Sequence, residues 1–291
     1  MEIKAYAKIN LALDVLGTRP NGYHDVRMIM QSVNIYDELT IDISNTPGTI
    51  SLICDNDELN DIENNLIYKA AKLILNESKN NTGLSITLKK NIPMAAGMAG
   101  GSADAAATLV GINKLLNIGM SNMQLRDLAV TLGADIPFCI EGGTYLSEGI
   151  GEILTKLPNA PECFLCIAKP DINVSTKYVY EHLILDDNTV HPNVDAMIES
   201  INNHNQAAVS AALGNILETV TQVKYPIISK MKETMIANGA ANALMSGSGP
   251  TVFGIYANEK DACNALEALR KQYDFKQGFV TTLSNFGVSI V

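Results

Sequence analysis

The chain has 291 residues, of which 47% are hydrophobic and 18% charged, so it can bury a core large enough for two lobes. Its formal charge is −10 at pH 7, and its longest basic cluster is Lys89-Lys90. Binding to a nucleic-acid backbone or an anionic membrane needs a basic stripe, so both functions are disfavoured. A small anionic substrate remains possible, because one site needs only a few local donors.

The beginning of the chain predicts a half-buried strand. Residues 3–15 alternate between apolar and polar side chains, and Lys8 and Asn10 lie on the polar face. The next patterns predict a turn at 19–22, strands at 27–43 and 49–53, a helix from its cap at Asn65 to about Asn76, and a strand at 85–89. A helix that begins near Ser102, a helix at 122–132 that ends at Gly133, and a strand near 144–154 follow.

A Leu-Pro-Asn-Ala-Pro segment at 157–161 resembles a linker and divides the chain into residues 1–157 and 158–291. The second part predicts a strand at 164–168, helices near 176–184, 194–201, 205–220, 226–237 and 259–272, a Gly/Ser hairpin at 246–250, and a strand at 278–283. Strands come in clusters and not in βαβ alternation, which indicates an α+β fold with two lobes.

The cysteines and the N-terminal residues favour a reduced, cytoplasmic protein. Five cysteines are too few for a disulfide framework at this length. Cys163 and Cys166 have redox or zinc spacing, but no second pair or nearby histidine completes a site, which predicts buried reduced thiols. His182, His191 and His204 show no ligand spacing and are expected at the surface. The sequence shows no signal-peptide pattern and no apolar run long enough to cross a bilayer.

The most informative segment is a loop without bulky side chains that leads into the helix near Ser102. Small residues let backbone N–H groups approach a phosphate, glycine supplies positive φ angles, and a helix N-terminus favours an anion. Ser102 could cap the helix or donate its hydroxyl to a phosphate. The spacing fits neither a P-loop nor a dinucleotide fingerprint, and a tight turn into a buried helix is the alternative. The candidate ATP-binding residues are Pro93, Met94, Ala95, Ala96, Gly97, Met98, Ala99, Gly100, Gly101, Ser102 and Ala103.

This loop resembles the phosphate-binding motif of the GHMP kinase superfamily, the galacto-, homoserine, mevalonate and phosphomevalonate kinases. Residues 7–11 and 245–253 resemble the first and third motifs of that superfamily, in the same order. Met98 stands where the family usually has leucine, a conservative difference. The resemblance implies a ribosomal-protein-S5-like N-terminal lobe, a ferredoxin-like C-terminal lobe, and ATP with Mg²⁺ bound between them, the nucleotide in a syn conformation.

The resemblance also implies a catalytic pair, Lys8 and Asp135, with Asn10 beside Lys8. A carboxylate can accept the proton of an attacking hydroxyl, and an ammonium can polarise that hydroxyl and offset charge on the phosphoryl oxygens. From the residues alone, Lys8 would be a lysine on a solvent-exposed strand face. Asp135 would be an ordinary loop aspartate held by Pro137.

Segments 19–24, 133–138 and 174–180 resemble one branch of the superfamily, whose acceptor is a cytidine diphosphate-linked polyol. An aromatic ring can stack on a pyrimidine, and backbone groups near His24 can read its polar edge. The resemblance therefore implies a cytidine site formed by Tyr23, His24 and Tyr180, with Thr176 as a weaker candidate. From the residues alone, both tyrosines would be core or surface aromatics.

Three other functions remain open from the sequence. Another kinase of the superfamily is disfavoured by the segments at 19–24 and 174–176, and a metabolite sensor would lose the acid that Asp135 provides. A nucleic-acid-binding module on an S5-like lobe is disfavoured by the charge. Mg²⁺ is expected with ATP, but no ligand is assigned. Asp104, expected in the first turn of its helix, is either a partner of the helix dipole or a metal ligand.

Overall fold

The computed structural model describes residues 1–55 and 61–291, which form two sheets with helices packed against them. The elements of the first part are β1 (Glu2–Thr18), β2 (His24–Ser44), β3 (Ile50–Cys54), a 3₁₀ turn (Ile62–Asn64), α1 (Leu66–Glu77), β4 (Gly83–Lys89), α2 (Gly100–Leu115), α3 (Asn122–Ala129), α4 (Ile136–Glu141), β5 (Thr144–Glu148) and β6 (Ile153–Lys156). Those of the second part are β7 (Phe164–Lys169), α5 (Thr176–Glu181), α6 (Val194–Asn202), α7 (Gln206–Ala211), β8 (Gly214–Asn215), α8 (Glu218–Lys224), α9 (Ile227–Ala237), β9 (Asn242–Met245), β10 (Val252–Tyr256), α10 (Glu259–Gln272), β11 (Gln277–Thr282) and β12 (Val288–Ile290).

The first sheet has eight strands in the described ranges and is built around the long β1–β2 pair. Its order is β12-β1-β2-β4-β3, the β5–β6 hairpin continues from β2, and β8 pairs with β1. Helix α2 crosses this sheet closely because Gly111 has no side chain; a Cβ there would lie 2.2 Å from Ile3 Cδ1. The alanine-rich α2 is thereby buried between the sheet and helices α1 and α4, which brings its N-terminus to the middle of the molecule.

The second sheet has four antiparallel strands in the order β11-β7-β10-β9, with α9 and α10 packed on it. This order is that of a ferredoxin-like βαββαβ unit. The α+β class and the two-lobed architecture predicted from the sequence are confirmed.

The predicted half-buried character of β1 is wrong. Residues 5–15 are buried on both faces of the strand, including Lys8, Asn10 and Asp14. The face that reads as polar in the sequence points toward the functional site and toward segments from later in the chain. The alternating apolar and polar pattern therefore predicted the strand correctly. Which of its faces is exposed to water depends on the segments that pack against it.

Four other boundaries differ from the sequence expectations. The strand near 144–154 is a hairpin, because Gly149 and Gly151 have φ angles of 72° and 121° and reverse the chain. The helix at 205–220 is α7 and α8 separated by β8, whose pairing with β1 outweighs helix propensity. Helix α3 ends at Ala129, so Gly133 is not its C-terminal glycine.

The fourth difference is β12, which the sequence analysis missed and which pairs with β1 through Ile3 and Ile290. The division of the chain at residue 157 stays a prediction. Strands β8 and β12, which lie beyond that position, belong to the first sheet.

Candidate active site

The loop between β4 and α2 has the backbone geometry of an anion-binding nest. Ala95, Gly97 and Ala99 have φ angles of 48°, 71° and 56°, and the residues between them do not share this conformation. Such alternation turns successive N–H groups toward one side of the chain. Two of the three residues are alanines, which adopt this region only where the surroundings over-determine it, often at functional sites. The positive φ angles fall at these positions and not at Gly100 or Gly101, which begin α2.

The phosphate loop, residues 93–99, is fixed by two neighbouring segments. The N–H of Lys8 donates to the carbonyl oxygen of Met98 at 3.1 Å. Ser246 Oγ donates to the carbonyl oxygen of Gly97 at 2.9 Å, and a Cβ on Gly97 would lie 2.1 Å from the Ser246 carbonyl oxygen. The Gly-Ser turn at 246–249 therefore holds the loop from the opposite side.

The Gly-Ser turn is itself held by Asn215 of β8. Asn215 is buried, and its Nδ2 donates to the carbonyl oxygens of Met245 and Gly247, each at 2.8 Å. Its Oδ1 accepts the N–H of Leu217 at 3.0 Å, so its side chain bonds in three directions. Asn215 was not singled out in the sequence, because nothing local marks a residue whose partners lie about thirty positions away.

Lys8 and Asp135 face one another across the site. Lys8 Nζ donates to Asn10 Oδ1 at 2.7 Å and lies 3.9 Å from Asp135 Oδ2. The Lys8 side chain is 6% exposed and that of Asp135 is 35% exposed. A buried ammonium needs partners of this kind, and the exposed carboxylate can reach a ligand. The 3.9 Å separation is compatible with catalysis, since catalytic contacts often tighten only when substrate is bound.

One cleft of about 860 Å³ joins the phosphate loop to Lys8 and Asp135. Its wall includes most of the predicted site residues: Lys8, Tyr23, His24, residues 93–97 and 99–102, Asp135, Thr176 and Tyr180. Three predicted residues stand behind the wall. Asn10 is buried and holds Lys8, whereas Met98 and Ala103 are buried in the core.

Tyrosine and histidine side chains line the same cleft. The rings of His24 and Tyr180 lie 4.9 Å apart at a 42° angle, and Tyr23 is 59% exposed beside them. Burial, together with the charge of Asp135, raises the pKa of the Tyr180 hydroxyl, which therefore stays protonated as a hydrogen-bond donor. Thr176 Oγ1 lies 2.9 Å from Ser248 Oγ, which joins α5 to the Gly-Ser turn.

Several residues that reach the cleft were not predicted. Asn64, Asn65 and Leu66 line it near the phosphate loop; Asn65 was expected only as a helix cap, and it does accept the N–H of Ile67 at 2.9 Å. Lys177, Gly247 and Ser248 line it as well. The last two lie in the segment 245–253 that resembles the third motif, a signal that could have identified them.

Asp104 does not lie in the first turn of its helix, where the sequence analysis expected it. It lies in the second turn of α2, and its Oδ2 accepts from Lys90 Nζ at 2.8 Å. Ser102 is the third residue of α2 and not its cap; the cap position is Ala99, which has no side chain to contribute. The Ser102 hydroxyl remains free to serve a phosphate.

No group of three or more His, Cys, Asp or Glu side chains that could hold a metal occurs in residues 1–55 and 61–291. Mg²⁺ is usually held by one or two carboxylates together with substrate phosphates, so the exposed carboxylate of Asp135 is compatible with Mg²⁺ brought in by ATP. Cys163 and Cys166 are free and buried, and burial raises the pKa of both thiols to about 12. Within the same part of the chain, no helix is both long and apolar enough to cross a membrane.

An S5-like sheet, a ferredoxin-like sheet and a nest-bearing loop beside a Lys–Asp pair define the architecture of a two-lobed small-molecule kinase. The family model described as "GHMP kinases N terminal domain" matches residues 65–143, and "GHMP kinases C terminal" matches residues 189–274. The chain belongs to the GHMP kinase family.

Relatives that match nearly the whole chain show which kinases of the family it is similar to. A 4-diphosphocytidyl-2-C-methyl-D-erythritol kinase of Lachnoclostridium phytofermentans is 50% identical over 281 residues, which is 97% of this chain and 96% of the relative. The kinase of the same name from Clostridium perfringens strain 13 is 45% identical and covers 98% of this chain and 99% of its own.

Two solved kinase structures share the fold of this chain. A 4-(cytidine 5′-diphospho)-2C-methyl-D-erythritol kinase superimposes with a TM-score of 0.81 at 31% identity, covering 97% of this chain and 99% of the other. Homoserine kinase from Cytophaga hutchinsonii reaches 0.84 at 21% identity, covering 100% of this chain and 97% of the other. The second comparison shows the shared fold alone, because its identity is low.

Proposed function

We propose that the protein transfers the γ-phosphate of ATP to the 2-hydroxyl of 4-diphosphocytidyl-2-C-methyl-D-erythritol, a step of non-mevalonate isoprenoid precursor synthesis. The observation that carries this proposal is one cleft whose wall holds a phosphate nest, a Lys–Asp pair and a tyrosine–histidine pair. The names of relatives that are 45–50% identical over nearly the whole chain support the substrate.

The nest and the first turn of α2 fit the triphosphate of ATP. Backbone N–H groups that point into a concave loop, and a helix N-terminus beside them, both favour negative charge. Mg²⁺ bound by the phosphates would neutralise part of the charge that develops during transfer. With the phosphates on this loop, the γ-phosphate would point toward Lys8 and Asp135.

Asp135 would accept the proton of the attacking 2-hydroxyl as its oxygen bonds to the γ-phosphorus. The bond from that phosphorus to the bridging oxygen of ADP breaks in the same in-line displacement, and ADP leaves. Lys8, oriented by Asn10, would polarise the hydroxyl and offset charge on the phosphoryl oxygens. Lys8 and Asp135 already lie 3.9 Å apart in the ligand-free cleft, which reduces the entropy cost of reaching the reactive geometry.

The cytidine end would bind between Tyr23, His24 and Tyr180, with Thr176 nearby. Stacking on an aromatic ring suits any base, so polar contacts must distinguish cytosine, and backbone groups near His24 are the candidates. The reacting hydroxyl lies at the opposite end of this substrate from the cytosine. The cytoplasmic location expected from the sequence stays a prediction.

The deciding experiment measures ADP release with the diphosphocytidyl polyol, mevalonate and homoserine side by side. We expect turnover with the first acceptor and at most background with the other two. Turnover with mevalonate or homoserine instead would assign a different GHMP kinase activity. Tight binding of the cytidine compound without ADP release would favour a metabolite sensor on the same scaffold.

A further inference from the structure

Three buried charged side chains meet beneath the phosphate loop. Asp37 comes from β2, Lys90 follows β4, and Asp104 lies on α2; their side chains are 0%, 7% and 4% exposed. Lys90 Nζ donates to Oδ2 of both carboxyl groups, at 2.8 Å in the case of Asp104. The two carboxyl groups thus share Lys90 Nζ as their hydrogen-bond donor.

The two carboxyl groups have unequal surroundings. Asp37 Oδ1 accepts the backbone N–H groups of Asn91 at 2.6 Å and Ile92 at 2.8 Å, and such bonds stabilise an ionised carboxylate. Asp104 Oδ1 has no hydrogen-bond partner in the described part of the chain. A bare, buried carboxylate oxygen is costly, whereas the carbonyl oxygen of a neutral acid costs less.

The number of charged groups in the cluster also disfavours two ionised carboxylates. One ammonium can balance one carboxylate, so two ionised carboxylates would leave a net negative charge on side chains that are at most 7% exposed. We propose that Asp37 and Asp104 share one proton at neutral pH, held mainly by Asp104, which makes the cluster with Lys90 electrically neutral.

The electrostatics of the surroundings support this assignment. Burial raises the pKa of Asp104 well above its ordinary value of 3.8; the charge of Lys90 opposes this shift, and Asp37 adds to it. Burial lowers the pKa of Lys90, but the two carboxyl groups outweigh burial and raise it, so Lys90 stays charged. The charge of Asp104 also acts on the Cys139 thiol of α4, together with the charges of Asp135 and Lys8; burial is the main cause that raises the pKa of this thiol, so it stays neutral.

A neutral cluster has a consequence for the site. A net negative charge near the N-terminus of α2 would cancel part of the positive potential of the helix dipole. It would therefore repel the phosphates of a nucleotide. The shared proton removes that charge. The proton is a property of the ligand-free chain, whereas its effect on ATP rests on the proposed function.

The test compares the pH dependence of unfolding for the wild type and Asp104→Asn, a neutral isostere of the acid. A pKa raised in the folded state gives stability that is present below pH 3.8 and lost as the pH rises through the folded value. The ratio of unfolding constants, wild type over variant, should therefore rise about tenfold per pH unit from roughly pH 5 until the proton is lost. A constant ratio between pH 5 and 8 would show that Asp104 is ionised and would overturn the proposal.

One further measurement keeps the proposal testable if Asp104→Asn folds poorly. Infrared spectra of the wild type at pH 7 should show the C=O stretch of a protonated carboxyl group, and its absence would overturn the proposal.

The ATP affinity distinguishes failure of this inference from failure of the proposed function. In the wild type, the Kd of ATP should rise as the pH passes the loss of the proton, and Asp104→Asn should lack this rise. A proton detected by unfolding or infrared, but no ATP binding at any pH, would refute the proposed function and leave the shared proton intact.

Discussion

Lys8 carries a positive charge in a place that is almost closed to water, and two oxygen ligands account for its position. Asn10, two residues along the same strand, accepts at 2.7 Å, and Asp135 lies 3.9 Å away from another part of the chain. Of the two acceptors, only Asp135 is exposed enough to reach a substrate. In the proposed function the residues would therefore have separate tasks, with Asn10 orienting Lys8 and Asp135 facing the reacting hydroxyl.

Replacing Asp135 with Asn should nearly abolish turnover while ATP affinity changes no more than a few-fold. The amide keeps the shape of the carboxylate but cannot accept a proton, and loss of a general base typically lowers the rate by about 10²–10⁴-fold. Steady-state kinetics and ATP titration would measure both quantities. Asn10→Ala, which disturbs Lys8 and leaves the carboxylate, is the comparison. An Asp135→Asn enzyme with near-normal kcat would mean that another group takes the proton.

Replacing Tyr180 with Ala should raise KM for the cytidine substrate about 5- to 150-fold and leave KM for ATP unchanged. Loss of one stacking partner costs roughly 1–3 kcal/mol. The ring lies against His24 in the wall of the cleft, whereas the nest that would hold the phosphates of ATP is formed by the backbone of residues 93–99. Equal changes in both KM values together with a lower Tm would instead indicate a purely structural ring.

Tyr178→Ala is the matched control for this prediction. Tyr178 is on the same helix, but its ring contacts His182 and Lys224 outside the cleft. The variant Tyr178→Ala should therefore leave KM for the cytidine substrate and KM for ATP unchanged. The same pair of measurements on Tyr23→Ala asks whether the exposed tyrosine shares the stacking role, as the resemblance implied.

At the scale of elements, the phosphate loop depends on the Gly-Ser turn that faces it. Gly97 combines a φ angle of 71° with a 2.1 Å approach of its absent Cβ to the Ser246 carbonyl oxygen. Gly97→Ala should therefore separate the loop from the turn and raise the Kd of ATP at least about tenfold, since an L-residue with this φ alone costs roughly 1–2 kcal/mol.

Isothermal titration with ATP would check this prediction. Gly133→Ala is the control, because its Cβ would be 3.5 Å from Ile136 Cδ1, an ordinary contact, at a glycine without positive φ. A folded Gly97→Ala protein with wild-type ATP affinity would contradict the assignment of the loop to the phosphates.

At the scale of the whole molecule, the last described segment closes the first sheet. Strand β12 pairs with β1, and the carbonyl oxygen of Gly287 accepts the N–H of Tyr6 at 2.9 Å. A Cβ on Gly287 would lie 2.1 Å from the carbonyl oxygen of Cys139, within α4, the helix that Asp135 precedes. The two ends of the chain and the candidate base are therefore packed as one unit.

Gly287→Ala should lower the free energy of unfolding by about 1–3 kcal/mol through overpacking, and Tm by roughly 2–10 °C. It should also lower kcat, because α4 must move. Gly17→Ala on β1, where nothing lies within 4 Å of the added Cβ, serves as the control and should change neither quantity. Thermal unfolding and steady-state kinetics on both variants would measure Tm and kcat. If Gly287→Ala changed neither, α4 would be able to move without loss of stability or activity.

The sequence by itself determined the elements whose signals are local. The period-two pattern of β1, the Asn65 cap of α1 and the helix at 259–272 were predicted within a few residues, because they depend on neighbours along the chain. The small-residue loop and the three ordered motifs likewise identified the family, and most of the predicted site residues do line the cleft.

Only the tertiary structure decided what depends on partners distant in sequence. It buried both faces of β1, divided the helix expected at 205–220 with β8, and added β12 to the first sheet. It also turned Lys90 inward to Asp37 and Asp104, where the sequence showed only a short basic cluster. Burial and ion pairing arise from the packing of distant segments, and no local pattern encodes which segment will cover a given face.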